Sequence, residues 1–336
     1  MTEIYREIID HPSAWTGAQL GGKEALTYRL TAEELAAIDE CLARTAARGL
    51  HEVKAPEFHH PALDGLLARL LDDMMNGRGL ILLTGLSRER YNDEQLERIY
   101  WGLGTHWGRP AVQSVYGDVM GYVQANENDP YARAYRSSDE LSFHCDTYEL
   151  VGLMCVQKAS EGGVSKMASS LAVHNALLQT RPDLLEPLYE GYYLGPPELQ
   201  HSEYPVTDVK TPVFCYRDGL VSCTYAPLFI RQAAKLRGED LPKGLAEALT
   251  AIDSLLRDPS IQLAFHLEPG DLMFWQNFTN VHARTEFKNS AERKRKLLRL
   301  WLMPENPRPV DPRFYIRAEA YARYYHAERA RMAAQA

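Results

Sequence analysis

The sequence has few cysteines, and their spacing matches no disulfide framework or zinc site. Its five cysteines, Cys41, Cys145, Cys155, Cys215 and Cys223, form no CxxC pair. Long apolar runs are also missing, because none approaches the roughly 18 residues that a membrane helix needs. The N-terminal stretch MTEIYREIID is acidic and polar, whereas a signal peptide begins basic and continues apolar. We therefore expect a protein of the reducing cytoplasm with no membrane partner.

A basic excess is absent as well. The 37 Lys and Arg residues and 45 Asp and Glu residues give a formal net charge of −8. Such a chain has no overall field that attracts nucleic acid or anionic lipid. No glycine-rich turn after a predicted strand resembles a dinucleotide or phosphate loop. These absences favour a small-molecule partner over nucleic acid, and they leave homo-oligomer formation open.

What remains is an ordinary globular composition, with 45% hydrophobic and 24% charged residues. Hydrophobic patterns predict helices mainly near the two ends and strands in the middle. Thr31 and Glu34 have the spacing of a capping box, which predicts the start of a helix. The period of apolar residues predicts helices over 31–47, 61–75, 92–103, 172–179, 241–256 and 316–335. Strands are predicted over 79–85, 119–123, 150–158, 164–168, 213–216, 220–225, 261–267, 272–275 and 296–303.

This order of elements does not form βαβ repeats. Short antiparallel-type strands with helical insertions predict a mainly β protein with helical additions, in the α+β class. The core would be a double-stranded β-helix, or jelly roll. We expect one domain over 1–336, made of a helical N-terminal part (1–76), a jelly-roll core with helical insertions (77–304) and a C-terminal extension with a terminal helix (305–336).

Four His-x-Asp/Glu triplets begin at His144, His201, His266 and His326. On a strand, residues i and i+2 face one side and can reach one metal ion, whereas on a helix they point apart. This argument excludes His326 in the terminal helix. His201 lies in a proline- and tyrosine-rich stretch that is typical of a loop, and His266 leads into a turn. His144 with Asp146, at a predicted strand end, is the favoured triplet.

A metal ion at His144 and Asp146 needs a third ligand from elsewhere in the chain. The candidate is His282, which follows the apolar strand that ends at Trp275. Two imidazoles and one carboxylate are the ligand set of mononuclear non-haem iron(II) oxygenases. The same spacing fits two hydrogen-bonded histidines near a turn, and the residues alone leave both readings open.

Arg295 and Arg299 lie four residues apart near the last predicted strand, so they share one of its faces. A buried arginine needs an anion, and the guanidinium fork fits a carboxylate. That anion could be a bound ligand or an internal Asp or Glu, and the pattern does not separate the two.

Taken in order, these segments resemble the taurine dioxygenase and clavaminate synthase-like family of iron(II)/2-oxoglutarate-dependent oxygenases. The resemblance depends on seven segments: Gly77-Arg-Gly-Leu-Ile-Leu-Leu-Thr-Gly85, Phe143-His-Cys-Asp146, Gly162-Gly-Val-Ser165, Pro269-Gly-Asp271, Phe274-Trp-Gln-Asn277, Val281-His-Ala-Arg-Thr285 and 295–302. It implies the jelly-roll fold that the strand pattern predicts independently. It also implies an Fe(II)- and 2-oxoglutarate-dependent dioxygenase that uses O2 to hydroxylate or desaturate a small anionic substrate, with release of succinate and CO2.

The resemblance also implies a role for each matching residue. The metal triad would be His144, Asp146 and His282. Arg295 would bind the distal carboxylate of 2-oxoglutarate, and Ser165 stands where the family usually has a threonine that shares this contact. Trp275 would pack beside the cosubstrate. Arg299 matches a position that holds an acidic group of the substrate, although it could hold 2-oxoglutarate instead.

Three further points accompany the resemblance. Cys145 stands within the metal triplet where threonine is common, and on a strand its thiol should point away from the metal. The tyrosines of 189–204, with Tyr216 and Tyr225, would either line a substrate pocket or pack in the core. Two other functions remain open: a non-catalytic jelly-roll ligand-binding protein, and a cupin-type metal enzyme that does not use 2-oxoglutarate.

Overall fold

The computed structural model describes residues 3–125 and 136–335. Its helices are α1 (Gly17–Leu20), α2 (Ala32–Thr45), α3 (Pro61–Met75), α4 (Asp93–Thr105), α5 (Ser170–Thr180), α6 (Leu185–Glu190), α7 (Pro227–Arg237), α8 (Lys243–Arg257) and α9 (Ile316–Gln335). Its strands are β1 (Thr27–Arg29), β2 (Leu80–Thr84), β3 (Arg109–Pro110), β4 (Met120–Val123), β5 (Leu141–His144), β6 (Leu150–Gln157), β7 (Glu161–Gly162), β8 (Ser165–Ser169), β9 (Phe214–Arg217), β10 (Leu220–Cys223), β11 (Leu263–Phe265), β12 (Leu272–Gln276), β13 (Asn280–Arg284), β14 (Phe287–Lys288) and β15 (Lys296–Met303).

Two sheets face each other across a shared apolar core. The major sheet has seven strands in the order β1-β2-β12-β6-β15-β3, with β4 also paired to β15. The minor sheet has four strands in the order β11-β8-β13-β5, all of them antiparallel. With the surrounding helices, this arrangement confirms the predicted α+β class and jelly-roll core.

Alternation along the strands divides the apolar residues between two layers. In β2, Leu80 and Leu82 point into the core between the sheets, whereas Ile81 and Leu83 pack under α2, α3 and α4. Strand β15 repeats the pattern, with Leu297 and Trp301 in the inter-sheet core. Because strand side chains alternate with period two, Arg295 and Arg299 lie on the same inward side.

The outer face of the minor sheet is covered by the remaining helices. Ala168 and Val281 point out of this sheet into a second core formed mainly by α5, α6, α7 and α8. Tyr189, Tyr192 and Tyr225 are buried in that core, so the packing alternative is correct for these tyrosines. No helix in the described ranges combines the length and the apolar character that crossing a bilayer demands.

Most predicted elements are confirmed within two or three residues. The capping box is present, because the Thr31 side chain accepts from the Glu34 amide and the Glu34 carboxylate accepts from the Thr31 amide. Helix α3 and strand β15 have their predicted bounds. The strand expected over 261–267 is shorter, since only Leu263–Phe265 pairs with β8. Helix α7 was not predicted: it begins with Pro227 and lacks a side-chain cap, so its start carries no capping-box signal.

Gly152 in the central strand β6 lies opposite Phe274 of β12, whose ring covers it. A Cβ atom at Gly152 would lie 2.2 Å from Phe274 Cε1. We expect Gly152→Ala to lower the free energy of unfolding by about 1–3 kcal/mol, because overpacking forces the neighbours to move. Urea denaturation measures this change.

Gly65 in α3 is the matched control, since a Cβ added there meets no heavy atom within 4 Å. We expect Gly65→Ala to raise the free energy of unfolding by about 0.5–1 kcal/mol, because alanine is the better helix former. Equal effects of the two substitutions would show that the Phe274 contact does not limit residue size at Gly152.

Candidate active site

The structure brings His144, Asp146 and His282 together at one edge of the minor sheet. His144 ends β5 and lies directly opposite His282 in the antiparallel pair β5–β13. Side chains of opposite residues share a face of the sheet, and Asp146 follows in the turn after β5. One ligand atom from each residue lies within 4.8 Å of the other two. Among the described residues, no other group of three His, Cys, Asp or Glu side chains lies close enough together to hold a metal ion.

The two imidazoles are held in the neutral form that binds metals. His144 Nδ1 lies 2.7 Å from the Ser142 carbonyl oxygen. Because a carbonyl only accepts, Nδ1 carries the proton and Nε2 keeps its lone pair. Burial lowers the pKa of His144, and burial with the neighbouring His144 lowers the pKa of His282 to about 3. Two neutral imidazoles beside a carboxylate are a donor set that fits iron(II).

Trp301, Arg299 and Asn277 hold Asp146 in a defined orientation. Its Oδ2 accepts a hydrogen bond from Trp301 Nε1 at 2.9 Å and lies 3.6 Å from Arg299 Nη1. Its backbone amide donates to Asn277 Oδ1 at 2.9 Å, and Asn277 Nδ2 donates back to its carbonyl at 2.8 Å. Burial raises the pKa of the carboxyl, but Arg299 and the two imidazoles outweigh burial and hold the pKa below its usual range. The carboxylate is therefore ionised at neutral pH.

Arg299 has an internal carboxylate beside it, which is one of the alternatives that the sequence leaves open. Besides Asp146, it contacts Gln113 at two points. Arg299 Nε donates to Gln113 Oε1 at 2.9 Å, and Gln113 Nε2 donates to the Arg299 carbonyl at 3.0 Å. Gln113 therefore fixes both the backbone and the guanidinium of Arg299.

Arg295 has a different environment. Its side chain is only 4% exposed, and its Nη1 is buried without a hydrogen-bond partner among the described residues. The guanidinium lies 5.1 Å from the ring centroid of Phe287. Burial and the nearby charge of Arg284 lower the pKa of Arg295 to about 9. No carboxylate of the described residues forms an ion pair with Arg295, so its charge is buried without a counterion among them.

All seven residues singled out by the sequence line one cavity between the two sheets: His144, Asp146, Ser165, Trp275, His282, Arg295 and Arg299. The rest of the wall is Arg284 and a set of mostly apolar residues: Val123, Leu141, Leu153, Met167, Met273 and Ala283. Trp275 packs against His282 with ring centroids 4.8 Å apart. The cavity therefore has a polar end, formed by the candidate metal ligands and the buried arginines, and an apolar wall beside it.

The cysteine and the other triplets also have clear positions. Cys145 points away from the cavity, as expected, with its Sγ 3.8 Å from the carbonyl oxygens of Cys223 and Asn280. His201 and His266 are exposed, and His326 lies on helix α9, so none of these joins the triad.

Sequence reasoning missed several residues of the site. Arg284 and Trp301 lie two residues from His282 and Arg299 on their strands, so alternation could have indicated both. Gln113 and Asn277 reach the site from loops, which carry no such periodicity. Arg317 reaches the site from α9, and it donates to the carbonyl oxygens of Cys145, at 3.0 Å, and of Asp146.

Arg317 therefore fixes the turn that carries the candidate ligand Asp146 and directly follows the candidate ligand His144. We expect Arg317→Ala to weaken iron(II) binding by about 10- to 100-fold, which is the usual effect of removing a group that orients metal ligands. Anaerobic competition with a chelator measures the affinity, and thermal unfolding verifies that the variant is folded.

Arg323 on the same helix is the control, because its side chain is 48% exposed and 3.9 Å from Asp208. We expect Arg323→Ala to leave iron affinity unchanged, and Arg317→Lys to restore part of what Arg317→Ala loses. Identical affinities for the Arg317→Ala and Arg323→Ala variants would contradict the positioning role.

Comparison with protein families gives one clear match and two full-length relatives. The family model described as taurine catabolism dioxygenase TauD, TfdA family matches residues 46–301. FR-33289 synthase of Streptomyces rubellomurinus is 29% identical over 328 residues, which cover 92% of this chain and 94% of the relative. The taurine hydroxylase-like protein SAT17 of Stachybotrys chartarum is 30% identical over 314 residues, covering 87% of this chain and 79% of the relative.

Solved structures share the fold. An asparagine oxygenase in complex with Fe(II), 2S,3S-3-hydroxyasparagine and succinate superposes with a TM-score of 0.67 at 18% identity, covering 83% of this chain and 93% of that one. The non-heme iron oxygenase OrfP in complex with Fe and alpha-ketoglutaric acid has a TM-score of 0.59 at 17% identity, covering 82% of this chain and 94% of that one. At these identities the likeness concerns the arrangement of sheets and helices.

Proposed function

Because this chain belongs to the taurine catabolism dioxygenase TauD, TfdA family, we propose that the cavity between its sheets is the site where it oxidises a small anionic molecule. It is an Fe(II)/2-oxoglutarate-dependent dioxygenase, which hydroxylates or desaturates its substrate with O2 and releases succinate and CO2. The observation that carries our proposal is a candidate metal-ligand triad on the wall of one cavity together with a buried arginine that has no counterion among the described residues.

In this proposal His144, Asp146 and His282 hold the iron through two neutral imidazoles and one carboxylate. Their mutual distances and the proton on His144 Nδ1 support this assignment. Bound iron and 2-oxoglutarate supply the oxidising chemistry. The protein keeps Asp146 ionised through Arg299 and aims its carboxylate through Trp301, so the ligand is ready before the metal arrives.

Arg295 rather than Arg299 is our candidate for the distal carboxylate of 2-oxoglutarate. Arg299 already lies beside Asp146, whereas Arg295 faces the cavity with a hydrogen-bonding group unfilled. Ser165 opens β8 in the same wall and would add a hydroxyl donor, and Trp275 would pack beside the cosubstrate. Charge-assisted bonds of this kind hold a reactant in one orientation, which removes most of the entropic cost of the encounter.

We assign the recognition of the substrate's anionic group to Arg299. Its guanidinium is fixed by Gln113 and lies 3.6 Å from the carboxylate of the candidate metal ligand Asp146. An anion held there would bring the attached carbon close to the metal. The apolar residues Val123, Leu141 and Leu153 would contact the body of the substrate and keep water away.

We further propose one oxygenase domain with the boundaries 1–76, 77–304 and 305–336 for its three parts. The contact of Arg317 with the turn after β5 supports including the C-terminal part. We propose the reducing cytoplasm as its compartment, because all five cysteines are free and buried. The net charge of −8 gives no reason to add nucleic acid as a partner, and self-association stays open.

The test is substrate-stimulated release of succinate. Protein loaded with iron(II) and 2-oxoglutarate without oxygen should show a visible charge-transfer band, and a screen of small carboxylic and other organic acids with O2 should find compounds that raise succinate release. His144→Ala should abolish the band, whereas His266→Ala at the exposed triplet should keep it. Tight ligand binding without succinate would favour a binding protein, and turnover without 2-oxoglutarate would favour a cupin-type enzyme.

A further inference from the structure

Arg284 is a further charged residue in the wall of the cavity. It follows His282 by two residues on β13 and lies directly opposite Ser165 of β8. Opposite residues of an antiparallel pair share a face of the sheet, and both side chains line the cavity together with His282. Arg284 is only 6% exposed. The strand register therefore places a second buried guanidinium on the same wall as the candidate metal ligands.

The hydrogen bonds of Arg284 to the described residues use only the two donors of Nη2 and leave the other three of its five N–H donors unfilled. Its Nη2 donates to the carbonyl oxygens of Ser137, at 2.9 Å, and of Asp139. Its Nε and Nη1 are buried with no hydrogen-bond partner among the described residues. Backbone carbonyls accept hydrogen bonds but do not cancel a charge, and the nearby carboxylate of Asp139 favours the charge of Arg284 without forming an ion pair with it. An unfilled guanidinium edge thus remains inside the protein, as it does for Arg295 Nη1.

One aromatic ring holds the two arginines near each other. The guanidinium carbon lies 4.8 Å from the centroid of Phe287 in Arg284 and 5.1 Å in Arg295. Arg284 is 6% exposed and Arg295 is 4% exposed, so both guanidiniums are buried against this ring. Two like charges are therefore buried side by side, an arrangement that costs stability unless an anion binds between them.

A carboxylate matches this arrangement better than a neutral group does. It has two oxygens with about four lone-pair positions, so it can accept from two guanidiniums and a hydroxyl at once. Ser165 supplies a hydroxyl on the same wall, across from Arg284. We call the side chains of Arg284, Arg295 and Ser165 the anion clamp.

We propose that Arg284 is a second cosubstrate-binding residue, which together with Arg295 and Ser165 clamps the distal carboxylate of 2-oxoglutarate and selects for a dicarboxylate. This inference rests on the proposed function, because it takes 2-oxoglutarate as the occupant of the cavity and Arg295 as its first partner. A 2-oxo acid without the distal carboxylate, such as 2-oxobutyrate, would leave the buried donors of both guanidiniums unfilled. The clamp would therefore reject it.

Binding to protein loaded with manganese(II), which avoids turnover, separates the two proposals. Calorimetry measures the dissociation constants of 2-oxoglutarate and 2-oxobutyrate for the unmodified protein, Arg284→Gln and Arg284→Lys. We expect Arg284→Gln to raise the dissociation constant of 2-oxoglutarate by about 10- to 100-fold, the effect of losing a charge-assisted hydrogen bond. The dissociation constant of 2-oxobutyrate should not change. Arg284→Lys should give a dissociation constant of 2-oxoglutarate between those of the unmodified protein and Arg284→Gln. The lysine variant serves as the test if the glutamine variant does not fold.

Arg293→Gln is the matched control, since Arg293 is exposed and lies two residues from Arg295. It should leave both dissociation constants as they are. If Arg284 only supports the backbone at 137–139, its replacement will change the affinities for both acids equally or change neither, and either result overturns the clamp. If the unmodified protein itself does not bind 2-oxoglutarate, the proposed function fails instead.

Discussion

Asp146→Ala is expected to abolish iron(II) binding and turnover together. The triad would lose its only anionic ligand, and two imidazoles would remain beside the positive charge of Arg299, 3.6 Å from the missing carboxylate. Removing a group that merely orients a ligand weakens metal binding by about 10- to 100-fold, so losing the ligand itself should exceed 100-fold. Iron content after anaerobic loading and gel filtration, with succinate release as the second reading, measures the effect.

The same substitution should lower the free energy of unfolding by about 3–5 kcal/mol, because it removes one partner of the buried contact between Asp146 and Arg299. Asp146→Asn removes the same charge but keeps the side-chain volume and an amide oxygen that still accepts from Trp301 Nε1, so its loss of stability should be smaller. We expect the asparagine variant to fold and still to bind iron poorly. His266→Ala, at an exposed triplet that lies outside the triad, should load iron normally. Normal iron content in the asparagine variant would rule Asp146 out as a ligand.

Arg295→Gln is expected to change ligand binding and stability in opposite directions. The dissociation constant of 2-oxoglutarate should rise by about 10- to 100-fold, because two charge-assisted hydrogen bonds to a carboxylate are lost. The ligand-free protein should become more stable. A pKa lowered to about 9 means that folding disfavours the charged form of Arg295, and glutamine removes that charge.

Calorimetry with manganese(II)-loaded protein measures the first effect, and urea denaturation without ligand measures the second. Arg293→Gln at an exposed position of the same segment should show neither. A structural arginine behaves differently: its loss lowers stability and leaves the cosubstrate affinity alone. That combination of results would remove Arg295 from the cosubstrate site.

Local signals predicted most of the secondary structure. The Thr31–Glu34 capping box and the leucine period of α3 depend on neighbours within four residues, and both are confirmed in the structure. Helix α7 escaped prediction because no side chain caps its start, so the sequence carries no capping-box signal there. The strand at 261–267 was predicted too long because pairing with β8, rather than apolar character, decides where it ends.

For the site, the residues that share a strand could be predicted from spacing. His144 with Asp146 and Arg295 with Arg299 were recognised in this way, and His282 was joined to them by its place after an apolar strand. The same argument, extended by two residues, would have indicated Arg284 and Trp301. No periodicity connects Gln113 or Arg317 to the cavity, since each is far along the chain from the residues that it contacts.

The sequence by itself determined which side chains face inward, because the period of a strand is a property of consecutive residues. Only the tertiary structure decided which charge meets which. Arg295 and Arg299 are equivalent in spacing, yet Arg299 lies beside Asp146 while Arg295 lies beside Phe287 and near Arg284. The register of β13 against β5 and β8, and the return of α9 to the turn after β5, depend on contacts between distant segments. Electrostatic energy depends on distance in space, which spacing along the chain does not contain.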